Sequence, residues 1–276
     1  MPSHEKEINT TYGRFVLDGS ADAKMTSRLA GSVYPQQDVI DLVRACNAHK
    51  VVDVGAHVGT VSVPLAQAGV MVTAFEPNAK TFAYLQRNSA QNDARVDARN
   101  KGLAQQAGRA SSAVVQQTNA GAHTLGAGDD IEVSTLDAEV DTADFIKIDV
   151  EGMELEVLQG GVHLLANAHP AIYFEVNLTA LRAHGTALGE LTDFLTRAGY
   201  ALYVVGGRRL YRVPSITFAA LFFAPRSLVT GSDAAPFDLL ALHREAPAPY
   251  PVRGVLASCI FLFLRYVTLQ YGRFTH

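Results

Sequence analysis

An α/β fold with a mostly parallel sheet is expected from three features of the sequence. Short apolar segments, of which residues 51–55 (VVDVG) are the first clear case, alternate with longer segments of helical periodicity. A glycine turn at residues 55–59 (GAHVG) joins that first strand to a helix. The next predicted strand ends in a lone carboxylate, Glu76. Strands that are separated by helices pair in parallel through right-handed crossovers, so these features predict a Rossmann-like sheet.

The length of the chain suits one main domain with two smaller flanking segments. A chain of 276 residues with 48% hydrophobic content is long enough for one α/β core and an appendage, but too short for two large domains. We expect an N-terminal brace or lid at residues 1–50, with a short strand (GRFVLD) and a helix over residues 36–48. The ligand-binding domain is expected at residues 51–227, followed by a linker and an apolar C-terminal helix at residues 228–276.

Within the main domain, periodicity and turn residues give the order of the elements. Gly69 lies where the first helix should end, and residues 116–130, rich in Gly, Asn and Ala, are predicted to form a loop that covers a pocket. The segments after residue 200 predict a terminal antiparallel hairpin that closes a seven-stranded sheet near Arg226. The other predicted strands lie at residues 51–55, at 71–77, near 94–104, at 144–152 and at 171–177.

The charge and the cysteine content argue against two kinds of function. A formal net charge of -4 provides no basic field for a nucleic-acid backbone, so no nucleic-acid substrate is expected. Cys46 and Cys259 lie far apart and lack a metal-type spacing, which predicts neither a disulfide scaffold nor a structural zinc site. Because the polar N-terminus also lacks the apolar core of a secretory signal, a cytoplasmic location is expected.

The apolar run near the C-terminus leaves two interpretations open. Residues 255–264 are almost continuously apolar, but a helix needs about 20 such residues to cross a bilayer, so this segment should not span one. It could pack on the sheet or on a second copy of the chain. Because Arg253, Arg265 and Arg273 flank and interrupt the run, it could instead lie in a membrane interface as a peripheral contact.

The glycine turn indicates which cofactor the protein accepts. A dinucleotide fingerprint would need glycines where the chain has His57 and Thr60, which argues against NAD and FAD. S-adenosylmethionine has no phosphate to hold. Asp53 could receive its amino group, directly or through water, and Glu76 could accept hydrogen bonds from its ribose hydroxyls. The predicted cofactor-binding residues are Asp53, Gly55, Ala56, His57, Gly59, Glu76 and Pro77.

A second interpretation of the same turn needs no cofactor. In an unrelated α/β protein, Asp53 would act as a helix cap and Glu76 would be a solvated strand end. A single Gly-x-x-x-Gly turn is compatible with either interpretation. The combination of the turn with both acids favours the cofactor site.

Four segments, in this order along the chain, resemble the FkbM-type methyltransferases: VVDVGAHVGTVS, TAFEPNAKTFAYLQRNSAQN, STLDAEV and FIKIDVEGMELEVLQGG. The resemblance covers residues 51–177, and its most specific part is KIDVEG at residues 147–152. It implies a class I methyltransferase fold, S-adenosylmethionine as cofactor, and methyl transfer to hydroxyls of sugars, polyketides or related metabolites. His57 departs from the family, which usually has asparagine after DVGA.

Acids at the ends of two predicted strands are the candidate catalytic residues. A protonated hydroxyl is a poor nucleophile, so methyl transfer to it should be assisted by a base that removes its proton, or by a metal. Asp149 is the first choice because it ends a strand beside the crevice, and Glu151 or Glu175 could share this role. His123, in the predicted loop, is a further candidate base. The alternative role for Asp149 and Glu151 is to cap the next helix.

Two other predictions concern polar groups at the same strand ends. No metal is expected, although Asp149, Glu175 and Asn177 could supply oxygen ligands to magnesium or calcium. Lys147 is expected to point to the opposite face of its strand and to form a surface ion pair.

Together these features predict an S-adenosylmethionine-dependent O-methyltransferase that acts on a small-molecule, sugar or lipid-linked glycan acceptor. One alternative is an N-methyltransferase on the same fold, in which the acids would bind a cation. Another is a binding or scaffolding module that retains the fold without catalysis and uses its apolar C-terminal segment for partners.

Overall fold

The structure of the protein is a computed structural model that describes residues 4–114, 123–206, 208–223 and 236–254. The helix predicted at the end of residues 228–276 lies outside the described residues, so its contact with a membrane or a second copy stays a prediction. Within the described part of the chain, every helix is too short or too polar to cross a membrane.

Strands and helices alternate along most of the described chain. The strands are β1 (Glu5–Thr10), β2 (Gly13–Asp18), β3 (Lys50–Val54), β4 (Met71–Phe75), β5 (Val96–Arg99), β6 (Gly102–Leu103), β7 (Gly108–Val114), β8 (His123–Ser134), β9 (Phe145–Ile148), β10 (Ala171–Val176), β11 (Tyr200–Val205), β12 (Leu210–Val213), β13 (Phe237–His243) and β14 (Val252–Arg253). The helices are α1 (Ala23–Leu29), α2 (Gln37–Ala45), α3 (Ser62–Gln67), α4 (Ala79–Gln91), α5 (Leu136–Glu139), α6 (Glu154–Gln159), α7 (Val162–Ala168), α8 (Leu178–Ala183), α9 (Leu188–Arg197) and α10 (Ile216–Phe223).

One large sheet forms the centre of the protein. Over the described ranges it has nine strands in the order β14-β12-β11-β13-β10-β9-β3-β4-β5. The strands from β5 to β10 in this order pair in parallel, as predicted, whereas β13 is antiparallel to both of its neighbours. The mostly parallel arrangement is confirmed, but the sheet exceeds the predicted seven strands because β13 and β14 also belong to it.

The end of the main domain differs from the prediction. β11 and β12 form the predicted antiparallel hairpin, but the next apolar segment (FAALFF) lies in helix α10, because an apolar run without alternation suits a buried helix as well as a strand. The chain then returns through β13 into the middle of the sheet, between β10 and β11. The boundary predicted at residue 227 is therefore wrong, since β13 and β14 belong to the sheet rather than to a linker.

A smaller sheet occupies part of the segment that was predicted to be a loop. β8 pairs in parallel with β6 and antiparallel with β7. The loop predicted over residues 116–130 is therefore wrong from residue 123 onward, because β7 and β8 satisfy each other's backbone groups despite their many small side chains. Residues 115–122 lie outside the described part of the chain.

The N-terminal brace is a β-hairpin followed by two helices, and it packs beside the glycine turn. β2 and α2 confirm the predicted strand and helix. Phe15 and Leu17 of β2 have no exposed surface and belong to one apolar cluster with Val58 and Val63 of the main domain. The brace therefore contributes to the core instead of lying over it as a separate lid.

Both faces of the central parallel strands are buried, which explains their nearly continuous apolar sequences. In β3, Val52 and Val54 belong to the core on one face of the sheet and Val51 to the core on the other. Helices on both faces of a parallel sheet produce this pattern. The polar side chains of Asp53 and Lys147, which are buried within these strands, are exceptions that mark the site.

Candidate active site

The glycine turn between β3 and α3 brings the backbone close to the end of β9. Gly55 has a φ of +78°, and a Cβ at this position would collide with the backbone oxygen of Asp149. The N–H groups of Gly55 and Ala56 both donate to the backbone oxygen of Phe75 at 3.0 Å. Gly59 has a φ of +90°, and a Cβ there would press on a neighbouring side chain at 2.8 Å. The turn therefore requires glycine at both positions.

The Glu76 carboxylate follows β4 and is held by two backbone groups. Its Oε2 accepts a hydrogen bond from His57 N and its Oε1 accepts one from Asn78 N, each at 2.9 Å. Burial raises the pKa of Glu76 above its ordinary value. The next residue, Pro77, and Glu76 both accept hydrogen bonds from Asn100 Nδ2 through their backbone oxygens, at 3.0 and 2.8 Å. Because a carboxylate oxygen has two lone pairs, each Glu76 oxygen can accept one more hydrogen bond, as two ribose hydroxyls would require.

Asp53 has no exposed surface, which limits the role predicted for it. Its Oδ2 accepts a hydrogen bond from Ser62 Oγ at 2.6 Å, and its Oδ1 lies 3.3 Å from Lys147 Nζ. Asp53 therefore cannot contact the amino group of a bound cofactor directly in this arrangement. A contact between Asp53 and that amino group through a water molecule stays a prediction.

Lys147 is a central residue of the site, so its predicted place on the surface is wrong. The residue is 5% exposed, and its Nζ donates to Gly55 O at 2.9 Å and lies 3.5 Å from Asp149 Oδ2. Burial lowers the pKa of Lys147, but Asp53 and Asp149 together raise it above its ordinary value, so the ammonium stays charged. The sequence carries a signal for this role, because a lysine inside an apolar strand requires a buried counter-charge.

Three carboxylates meet where β9 and β10 end, as predicted. The oxygens of Asp149, Glu151 and Glu175 lie within 4.8 Å of one another. Glu151 has a φ of +53°, and its Oε2 accepts a hydrogen bond from Asn177 Nδ2 at 3.0 Å. Burial first, and then the charge of Asp149, raise the pKa of both Glu151 and Glu175. The crowding of acids therefore favours the protonated form of the two glutamates.

The same three carboxylates could also bind a metal ion. Asp149, Glu151 and Glu175 offer the oxygen ligands that a divalent cation of the magnesium or calcium type prefers. Asn177, predicted as an alternative ligand, is already engaged, because its Oδ1 accepts a hydrogen bond from Ala180 N at 3.2 Å and caps α8. The expectation of a metal-free site stays a prediction.

A crevice of about 160 Å³ opens beside the carboxylates. The Tyr173 hydroxyl bonds to Asp238 on its wall, and burial raises the pKa of Asp238 to about 6 while this bond lowers it. The Asp238 side chain is accessible to solvent, but protein atoms surround it closely because it lies on the wall of the crevice. The wall combines residues of the brace with residues of strand ends, including Arg28, Gln36, Asp38, Asp149, Glu175 and Asp238.

His123 was predicted to lie in a loop, but the structure places it in a strand. It is the first residue of β8, where its backbone pairs with Val114. Its side chain lies outside the described part of the protein, so its role as a base stays a prediction.

Comparisons with known proteins agree with this geometry. The family described as Methyltransferase FkbM domain matches residues 53–202. A curated relative, the hexuronic acid methyltransferase AglP of Haloferax volcanii, is 31% identical over 202 residues, which are 70% of this chain and 79% of the relative.

Similarity to solved structures is lower. Methyltransferase FkbM from Methylobacillus flagellatus KT has 23% identity and a TM-score of 0.35, over 47% of this chain and 33% of that chain. Magnesium protoporphyrin IX methyltransferase (ChlM) from Synechocystis PCC 6803, crystallised with bound SAH, has 16% identity and a TM-score of 0.43, over 75% of this chain and 80% of that chain. The family assignment therefore depends on the sequence matches.

The residues present suit S-adenosylmethionine. Glu76 retains acceptor capacity for ribose hydroxyls, and the turn at Gly55 lets the backbone approach the end of β9. The matched segment, residues 53–202, includes the turn, Glu76, Lys147 and Asp149. The chain therefore belongs to the FkbM family of S-adenosylmethionine-dependent methyltransferases.

Proposed function

We propose that this protein transfers a methyl group from S-adenosylmethionine to a hydroxyl of a glycan or a secondary metabolite. The observation that carries the proposal is the position of Asp149. Its backbone oxygen lies against Gly55 of the glycine turn, and the residue also lines the crevice. This position supports a role for Asp149 between a methyl donor at the turn and an acceptor in the crevice.

The chemistry requires an aligned oxygen nucleophile and a group that takes its proton. When bound, S-adenosylmethionine supplies a methyl group on a sulfonium, which an acceptor oxygen takes by in-line displacement. The Asp149 carboxylate accepts the proton that the acceptor hydroxyl loses. Lys147 orients Asp149 through their 3.5 Å ion pair, and Glu76 holds the ribose.

Asp149 suits the role of base better than the neighbouring glutamates. Burial, together with the charges of Asp149 and Asp238, raises the pKa of Glu175 well above 4.5, so this residue is protonated near neutral pH. A protonated carboxyl cannot take a second proton, but it can donate a hydrogen bond to an acceptor oxygen. Glu151, whose pKa is also raised, is tied to Asn177.

The polar wall of the crevice supports a hydroxyl-rich acceptor. Arg28, Asp38 and Asp238 offer donors and acceptors around an entering ligand. The name of the curated relative states a hexuronic acid as its substrate, and a sugar hydroxyl is the chemistry that the two proteins would share. We therefore propose a small sugar or a lipid-linked glycan as the acceptor.

The number of carboxylates on this wall favours a second candidate, methyl transfer to an amine, in which the acids would bind a cation. The variant Asp149→Asn separates the two. For a hydroxyl acceptor, the loss of the base should lower kcat about 100- to 10,000-fold. For an amine acceptor, the variant should mainly raise KM, because binding is lost rather than proton removal.

The direct test is incubation of the protein with labelled methyl donor and fractionated cell glycans, lipids and small metabolites. Mass analysis should place the label on a hydroxyl oxygen. Asp149→Asn should transfer little label, whereas Asp141→Asn, which changes an exposed acid outside the crevice, should act as wild type. Label on a nitrogen would favour the second candidate, and the absence of label from every fraction would contradict the proposal.

We also propose that the protein acts in the cytoplasm. Cys46 is a free and partly buried thiol, and burial raises its pKa to about 11. Such a thiol is unreactive and suits a reducing compartment.

A further inference from the structure

We propose that Asp22, in the N-terminal brace, is a positioning residue for the cofactor and acts through His57 on the carboxylate of Glu76. The inference rests on the proposed function, because that function assigns Glu76 to the ribose. Asp22 lies outside the segment that matches the family, residues 53–202, so the family motifs do not point to it.

Asp22 is a buried acid whose neighbour is an imidazole. The residue is 1% exposed, and its Oδ1 accepts a hydrogen bond from Met25 N at 3.1 Å, which caps α1. Its Oδ2 lies 2.9 Å from His57 Nε2 as an ion-pair contact, and neither of these two atoms has a hydrogen-bond partner in the described ranges. A buried carboxylate requires a compensating group, and His57 is in the position to provide it.

His57 carries this contact to the cofactor site through its own backbone. Its φ is +53°, a left-handed conformation that is unfavourable for a residue with a Cβ. In this conformation its N–H donates to Glu76 Oε2 at 2.9 Å. One residue therefore contacts Asp22 with its side chain and Glu76 with its backbone. Where the family usually has asparagine, this chain has a longer side chain that reaches the brace.

Other contacts hold the brace at a fixed place beside the same turn. The Tyr34 hydroxyl donates to Thr60 O at 2.8 Å. Asn88 donates to Val58 O in the turn at 2.8 Å and to Val16 O in β2 at 3.0 Å. Because the brace is anchored on both sides of His57, Asp22 can restrain the imidazole instead of moving with it.

The test is a double-substitution cycle in the full chain, read by calorimetric titration with S-adenosylhomocysteine. Asp22→Asn removes the charge but keeps the helix cap, since asparagine caps as well as aspartate. His57→Asn removes the imidazole but keeps a residue that tolerates the left-handed conformation. We expect each single variant to bind on the order of tenfold more weakly. The double variant should bind no more weakly than the weaker single variant.

Glu7→Gln is the matched control, because Glu7 belongs to the same brace and its carboxylate forms an exposed ion pair with Arg14. It should bind as wild type. A purely structural role of Asp22 would lower the melting temperature without changing the affinity of the folded protein, and that result would overturn the proposal. Losses that multiply in the double variant would also overturn it. If Asp22→Asn does not fold, Asp22→Ser, which also caps, replaces it in the cycle.

The two proposals fail in different ways. If the wild-type protein does not bind S-adenosylhomocysteine, both the proposed function and this inference are wrong. If the wild type binds and Asp22→Asn binds equally well, only the inference fails.

Discussion

Lys147 and Asp53 face each other as direct partners on the neighbouring parallel strands β9 and β3, with 3.3 Å between Nζ and Oδ1. Both side chains are almost completely removed from solvent. The same ammonium donates to the backbone of Gly55 and lies near Asp149. One buried cation therefore ties the glycine turn to the proposed base.

Removal of this cation should destabilise the fold strongly. Lys147→Met leaves the Asp53 carboxylate buried without a counter-charge, which typically costs about 3–5 kcal/mol. Urea unfolding followed by circular dichroism measures the loss. Lys50→Met, which changes an exposed lysine at the start of β3, should change stability by about 0.5 kcal/mol or less.

A second substitution makes this experiment more specific. Adding Asp53→Asn to Lys147→Met removes the unpaired charge, so the double variant should regain part of the lost stability. If Lys147→Met alone lowers the free energy of unfolding by less than about 1 kcal/mol, the pair behaves as a surface ion pair, which would contradict its role in the core.

Two glycines with similar backbone conformations allow a matched test of the turn. Gly55 and Gly69 have φ values of +78° and +85°, but only a Cβ at Gly55 meets neighbouring atoms, among them the backbone oxygen of Asp149. Gly69→Ala should cost about 1–2 kcal/mol for the left-handed conformation alone. Gly55→Ala should cost at least about 2 kcal/mol more and should weaken cofactor binding. Equal losses in urea unfolding would mean that the close approach at Gly55 does not matter.

The raised pKa of Glu175 predicts a dependence of stability on pH. Because the folded protein holds this proton more tightly than the unfolded chain, the stability gained from it is present below the ordinary pKa of 4.5 and is lost as the pH rises through the raised value. Glu175→Gln should therefore melt at a higher temperature than wild type at pH 8, with a difference that shrinks towards pH 4.5.

Differential scanning fluorimetry across this pH range gives the comparison for Glu175. Asp141→Asn, at an exposed acid, should give a difference from wild type that does not vary with pH. If the melting-temperature difference between Glu175→Gln and wild type also does not vary with pH, the acids at the ends of β9 and β10 do not raise the pKa of Glu175 as proposed.

The part of the fold around the glycine turn and Glu76 could be predicted from local signals in the sequence. β3 and β4 lie close to their predicted positions, because apolar runs mark the strands and turn residues mark the ends. Gly69, for example, comes after Ala68, the C-cap residue of α3, and has the left-handed conformation that ends helices. The meeting of Asp149, Glu151 and Glu175 was predictable for a related reason, since parallel strands place their carboxyl ends at one edge.

The remaining features depend on contacts between distant parts of the chain. The orientation of Lys147 follows from the register of β9 against β3, which the whole sheet determines. The central place of β13 follows from pairing on both of its edges, and its local sequence does not reveal that position. The contact between Asp22 and His57 likewise requires the brace to be folded onto the turn.

The position of S-adenosylhomocysteine in a crystal structure of its complex with this protein tests the central claim most directly. The account predicts that both ribose hydroxyls lie within hydrogen-bond distance of the Glu76 carboxylate and that the amino-acid part lies against the turn from Gly55 to Gly59. A nucleoside bound elsewhere, or a Glu76 side chain turned away from the ribose, would contradict it.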